Sequence, residues 1–319
     1  MVFILMVYSF STSGQESIKT QYFEFQINYW FNMHQFLWAE AFVQAYKDGS
    51  LVSKELDRES NRELKQALDY YKNNLVDLDP RTDNYMTRFK HWITSQEKAI
   101  DTVPKEFRKH FEILAAFSEV YSTVFWKEHQ MSCQSVLQDN FKWIEKTEIQ
   151  FVKEITLLTR QFWQQELLKV DLTYYGKFSK RNTRNLPYTT LFPTHVVMNV
   201  DGQNEVQGNW LELLYHEAAH HLILGSSYFV GGTINDVSKA MNVEIPRQLG
   251  HSYLFYFTGE LTKELLENLE INDYTTYMER NNLFSNYYPI LTKHLKNYME
   301  GNATLAKTTE SVINDLQEN

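Results

Sequence analysis

The segment that most constrains this chain is Trp210-Leu-Glu-Leu-Leu-Tyr-His-Glu-Ala-Ala-His-His-Leu-Ile-Leu224, which carries His216-Glu217-x-x-His220. No Gly or Pro interrupts it. Leu211, Leu214, Tyr215, Ala218 and Leu222 recur at helical spacing, and Leu213 and Leu224 make the opposite side apolar too. A helix that is apolar nearly all round is a buried one. Gly208-Asn209 offers an N-cap and Gly225 a residue to end the helix, so the sequence predicts both boundaries. Two histidines and a glutamate inside such a helix need partners, because burying them unpaired costs on the order of several kcal/mol.

The spacing says which partner fits. At about 3.6 residues per turn, positions i and i+4 share one face, so the imidazoles of His216 and His220 can converge on one metal ion. Neutral imidazoles suit Zn²⁺, and three protein ligands with one open position make a catalytic site rather than a structural one. Water at such a position has its pKa lowered to about 7, and Glu217, beside the first ligand, can take the proton as general base for attack on a carbonyl. The alternative is a buried helix whose polar residues bond to neighbouring segments.

On His216-Glu217-x-x-His220 the chain resembles the zincin metallopeptidases, over about fifteen residues. A metzincin would continue with Gly at 223 and His at 226, where this chain has Ile223 and Ser226. The inverted H-x-x-E-H order is absent, since Phe125 stands where Glu128-His129 would need a histidine. What remains resembles the gluzincins. That resemblance implies a third ligand, a glutamate from a later helix, and an edge strand before the metal helix that holds extended peptide by main-chain hydrogen bonds. Residues 194–200 are the candidate strand. Glu260, in Phe255-Tyr-Phe-Thr-Gly-Glu-Leu261, ranks first as third ligand, with Glu264 one turn later in support. His251 ranks second. It lies nine residues earlier and roughly half a turn round, so an unbroken helix would not aim both at one metal, although Gly259 could kink it. Tyr253, Tyr256, Glu260 and Glu264 share a face, and His251, His34 and Tyr256 are candidates to stabilise an oxyanion. His221 points about 100° away from the metal, where it either supports a ligand or packs. Glu244 precedes Ile245-Pro246 and falls outside a helix.

The other segments organise around this helix. With 20 Tyr and 21 Phe against 11 Gly and 6 Pro, the composition predicts an α+β, predominantly helical, well-packed protein. The formal charge of −9 and the absence of a basic run argue against a nucleic-acid partner; the expected partner is a peptide or protein substrate. Residues 1–14 read as a possible signal peptide, too short for a stable membrane span, which predicts an exported protein, periplasmic or secreted, with a cytoplasmic location as alternative. Cys133 is the only cysteine, so no internal disulfide is expected. Residues 15–169 read as a helical N-terminal part and 170–319 as a zincin-like catalytic part.

In the first part, residues 22–38 read as a strand running into a helix, with Asn32 and His34 embedded either as satisfied core residues or near the metal. Helices are expected over 54–76, 85–100, 107–126 and 135–168, with His91, His110 and His129 as packing residues. In the second, 170–175, 188–192 and 194–200 read as strands, 177–184 as a basic loop, and Gly231-Gly232 as a flexible loop. Helices follow over 246–269 and, as a pair, over 287–316. Zinc-dependent amide hydrolysis is the leading expectation. A zincin-like protein that binds peptide without turnover, and a structural helical protein with a coincidental motif, are the others.

Overall fold

The computed structural model describes residues 17–97, 99–163, 167–180, 182–202, 206–223 and 227–318. The expected signal segment at 1–14 and Gly225 lie outside the described residues. The chain runs β1 (Ile18–Lys19), β2 (Phe23–Gln26), α1 (Tyr29–Tyr46), α2 (Arg58–Asn74), α3 (Asn84–Ile93), α4 (Arg108–Val120) and α5 (Trp126–Thr159). A π-helical turn at Tyr121–Phe125 joins α4 to α5 without a break. Next come β3 (Leu168–Thr173), β4 (Lys177–Ser179), β5 (Asn182–Leu186), β6 (Tyr188–Thr190), β7 (His195–Asn199) and α6 (Asn209–Ile223). The chain finishes with α7 (Phe229–Ala240), α8 (Leu249–Glu267), α9 (Tyr277–Arg280), α10 (Tyr288–Met299) and α11 (Leu305–Glu318). The fold is α+β and predominantly helical, as composition predicts. No described helix is long and apolar enough to cross a membrane.

One mixed sheet, ordered β1-β2-β3-β7-β6, divides the molecule into two cores. β2, β3 and β7 are parallel, and β6 turns back antiparallel to β7 with Thr189 opposite Val196. The alternation of side chains along a strand gives the two faces different characters. Phe23, Phe25, Val170, Leu172, Val196 and Met198 enter the core that contains α6, α8 and the buried face of α5. The opposite face carries Gln26, Asp171 and His195, joined by hydrogen bonds and covered by α3, while Val197 enters the aromatic core built from α1, α2 and α4. Segments from before residue 170 therefore serve both cores.

α6 is held from two sides. Tyr215 stacks on Phe151 of α5 at 3.9 Å between ring centroids, and its hydroxyl meets Thr147 Oγ1 at 2.6 Å. Its N-terminus follows Gly208, which sits at φ +84° against Leu266 and Tyr274. A side chain there would clash, so glycine is required.

Three local expectations are corrected. The segment expected as a loop over 177–184 carries strand instead: β4 and β5 pair antiparallel. Gly231-Gly232 falls inside α7, whose other residues supply the helix. The candidate edge strand at 194–200 is interior, since β7 is flanked by β3 on one side and β6 on the other; the sheet ends at β6.

Candidate metal centre

His216, His220 and His251 converge, with one candidate ligand atom from each lying within 4.8 Å of the others. His216 and His220 come from successive turns of α6. His251 comes from the first turn of α8, which packs along α6. His216 Nε2 and His251 Nε2 are 3.3 Å apart. The ring of Phe255, one turn beyond His251, stacks on His216 at 3.7 Å and fixes its plane. Phe284 meets His251 edge-on at 5.8 Å.

Burial sets the protonation of these groups. It holds His216 and His220 well below the usual imidazole range, with His251 adding to the effect on both. Burial likewise brings His251 down to about 4, with the charge of Arg81 acting in the same direction. Three neutral imidazoles in one place are a donor set for a cation, whereas protonated ones would repel both it and each other. A further observation fits this use. His216 Nδ1 is buried with no hydrogen-bond partner among the described residues, and so is Glu212 Oε1, one turn earlier on α6. Ligating histidines commonly donate their second nitrogen to a carboxylate, directly or through water. Glu212 is anchored through Oε2, which accepts from the Tyr274 hydroxyl and from the Tyr277 amide at 2.7 Å.

Glu217 sits beside the cluster with Oε2 3.5 Å from His220 Nε2. Its position is set from the sheet: the Thr189 hydroxyl on β6 lies 2.8 Å from Oε2 and 2.8 Å from the Glu217 carbonyl oxygen. Burial raises the Glu217 carboxyl to about 7, opposed by the Thr189 hydrogen bond and by the charges of Arg81 and Lys177. These two cations belong to one network, in which Asp79 accepts from Lys177 Nζ at 2.9 Å and from Arg81 Nη2 at 3.1 Å.

Glu260, the first-ranked third ligand, is not brought to the cluster. It lies nine residues past His251 on an unbroken α8, about 13 Å further along the axis. Its surroundings are Lys263, Glu279 and Lys296, and burial raises its pKa. Gly259 does not kink the helix; it lets α8 approach Glu212 Oε1, which a Cβ would meet at 3.0 Å. Tyr256 also faces elsewhere, hydrogen-bonding Thr292 on α10 beside Tyr288. Tyr253 reaches Thr309 on α11.

His34 and Asn32 are core residues away from this cluster. The Tyr71 hydroxyl lies 2.9 Å from His34 Nδ1 and 2.9 Å from His110 Nε2. Asn32 ties α1 to β3 by donating to the Leu172 carbonyl oxygen at 2.9 Å and accepting from the Tyr174 amide at 3.0 Å. His221 turns back to the Ala218 carbonyl at 2.7 Å and packs on Trp163.

Sequence reasoning missed Thr189, Arg81 and Phe255. Only Phe255 had a usable signal, as the residue one turn from His251 on the same helix face. Thr189 and Arg81 arrive from distant segments whose local pattern says nothing of Glu217. Comparison with protein-family models, with curated proteins and with solved structures finds no match to this chain, so the residues themselves carry the functional argument.

Proposed function

We propose that this protein is a zinc-dependent metallopeptidase with His216, His220 and His251 as metal ligands and Glu217 as general base. The observation that carries the reading is the convergence of three neutral imidazoles from two helices beside a carboxylate held by the sheet edge. Two nitrogens of a tetrahedral zinc shell at about 2.0–2.1 Å lie about 3.3 Å apart. The His216–His251 separation of 3.3 Å supports that shell. With a histidine in place of the expected glutamate as third ligand, the site departs from the gluzincin pattern while keeping its helix.

A zinc ion held there would supply Lewis acidity, polarising a substrate carbonyl and acidifying water at the open position. The protein's own groups do the rest. Glu217 Oε2 takes the proton of the attacking water and returns it to the leaving nitrogen. Thr189 fixes that oxygen. The charge of Arg81, which reaches Glu217, His220 and His251, favours the negative oxygen of the tetrahedral state. β6 ends the sheet beside α6, and its outer edge offers main-chain groups to an extended peptide.

The test is hydrolysis of a mixed peptide library by zinc-loaded protein and by Glu217→Gln. Cleavage by the wild type, with loss of at least about 10³-fold in kcat and unchanged zinc content in the variant, is the expected result. Equal cleavage by both would remove Glu217 from the chemistry.

A further inference from the structure

A cavity of 410 Å³ opens beside the start of α6. Its position is defined from two directions. Leu186 on its wall precedes Thr189, the residue that touches Glu217, by three positions, or about 10 Å of strand. Asn209 on another wall begins α6, and Glu217 follows eight residues later, about 12 Å along the axis. Tyr277 closes the near side. Its ring stacks on Phe255, which in turn stacks on His216. The cavity thus lies about three to four residues of extended peptide from the general base.

Its chemistry is cationic and hydrogen-bonding. Arg280 donates through Nη1 to the Thr275 carbonyl oxygen at 2.7 Å and through Nη2 to Asn209 Oδ1, and it lies 5.8 Å from the ring centres of Tyr274 and Tyr277. None of these partners is a carboxylate. Arg280 also hydrogen-bonds Tyr274, and its charge reaches the Glu212 carboxyl. A guanidinium carries five N–H donors, so these bonds still leave donors to offer. Arg184 on β5 lines the same space and hydrogen-bonds the Tyr277 hydroxyl. Asp201, the one acid on the wall among the described residues, accepts from Asn185 Nδ2 at 3.2 Å.

We infer that this cavity is a carboxylate-recognition subsite of the peptide cleft, taking an acidic side chain or a free C-terminal carboxylate about three to four residues from the scissile bond. The inference rests on the peptidase reading for its register, and on the arginines for its chemistry. Arginine forks match carboxylates in a way that lysine does not.

The experiment measures binding rather than turnover. Zinc-loaded Glu217→Gln protein is titrated with alanine-based octapeptides, in free-acid and amide forms, with one Glu or one Gln walked along the chain. Some carboxylate-bearing peptide should bind ~10- to 100-fold tighter than its neutral counterpart. Preference for the free acid identifies the chain terminus, and preference for one Glu position identifies a side chain. Arg280→Gln should abolish the difference. Arg184→Gln, on an exposed strand position, should weaken it even if Arg280→Gln perturbs folding through Asn209. Equal binding of charged and neutral peptides, discrimination that survives both substitutions, or no binding of any peptide would overturn the subsite. Discrimination that persists while the wild type cleaves none of these peptides would leave the subsite standing and count against the hydrolytic reading.

Discussion

Lys90 gives a stability prediction whose sign changes with pH. It is 1% exposed on α3, and its Nζ donates to Thr190 Oγ1 and to the His195 carbonyl oxygen. The titratable groups around it are Asp171 on β3, His195 on β7 and His91, its neighbour on α3. Burial lowers the lysine to about 7, with the Asp171 carboxylate opposing. An unfolded lysine titrates near ~10.4. Between these values the unfolded chain binds a proton that the folded chain does not, so stability rises with pH. Below about 7 both states are protonated and the folded state carries the full cost of the buried charge.

At about 1.4 kcal/mol per pKa unit, that cost is about 4–5 kcal/mol at pH ~6 and about 1 kcal/mol at pH ~9.5. Lys90→Met keeps the stem and removes the charge, together with two hydrogen bonds worth about 1 kcal/mol each. The variant should therefore be about 2–3 kcal/mol more stable than wild type at pH ~6 and about 1 kcal/mol less stable at pH ~9.5. Urea unfolding at the two pH values, followed by tryptophan fluorescence, measures this directly. Equal destabilisation at both would show that Lys90 stays charged in the fold as a partner of Asp171, and the reasoning would fail.

Tyr71→Phe strands the ring nitrogens of His34 and His110 and should lower stability by about 2–4 kcal/mol without changing zinc content. Loss of zinc would instead connect His34 to the site. Gly208→Ala forces a side chain into φ +84°, with Cβ 2.5 Å from Leu266 Cδ1, and should cost about 2 kcal/mol or more in a urea titration. An unchanged midpoint would contradict the packing described at the start of α6. Thr189→Val removes the hydroxyl that orients Glu217 and should lower kcat about tenfold with KM and zinc unchanged. A change confined to KM would assign Thr189 to substrate binding.

The helix that carries His216 and His220 was legible because its signal is local. Periodicity, the absence of breakers, Gly208 and the i, i+4 histidines all lie within one segment, and helix geometry alone brings His216 and His220 together. The strand-to-helix passage at β2 and α1, the strands β3, β6 and β7, and the closing helices were readable for the same reason. The third partner was not, because it depends on how α8 crosses α6. From sequence, Glu260 looked better placed for being an acid in an apolar stretch, yet Phe255 and Gly259 are the contacts that register α8 on α6, and they bring His251 to the cluster. Strand order is equally non-local. Residues 194–200 read as an edge strand, but pairing with both β3 and β6 places β7 inside the sheet. Gly231-Gly232 suggested a loop on propensity alone, whereas α7 forms by packing on α11 and α6.

Zinc content by elemental analysis, with wild type beside His251→Ala and Glu260→Gln, tests the central claim most directly. The account predicts about one zinc per wild-type chain, since three imidazoles converge on one point. It predicts the same content in Glu260→Gln and an affinity lower by about 10²-fold or more in His251→Ala. Zinc retained by His251→Ala and lost from Glu260→Gln would contradict the three-histidine site. A wild type that takes up no zinc when supplied with it would contradict the metal centre altogether.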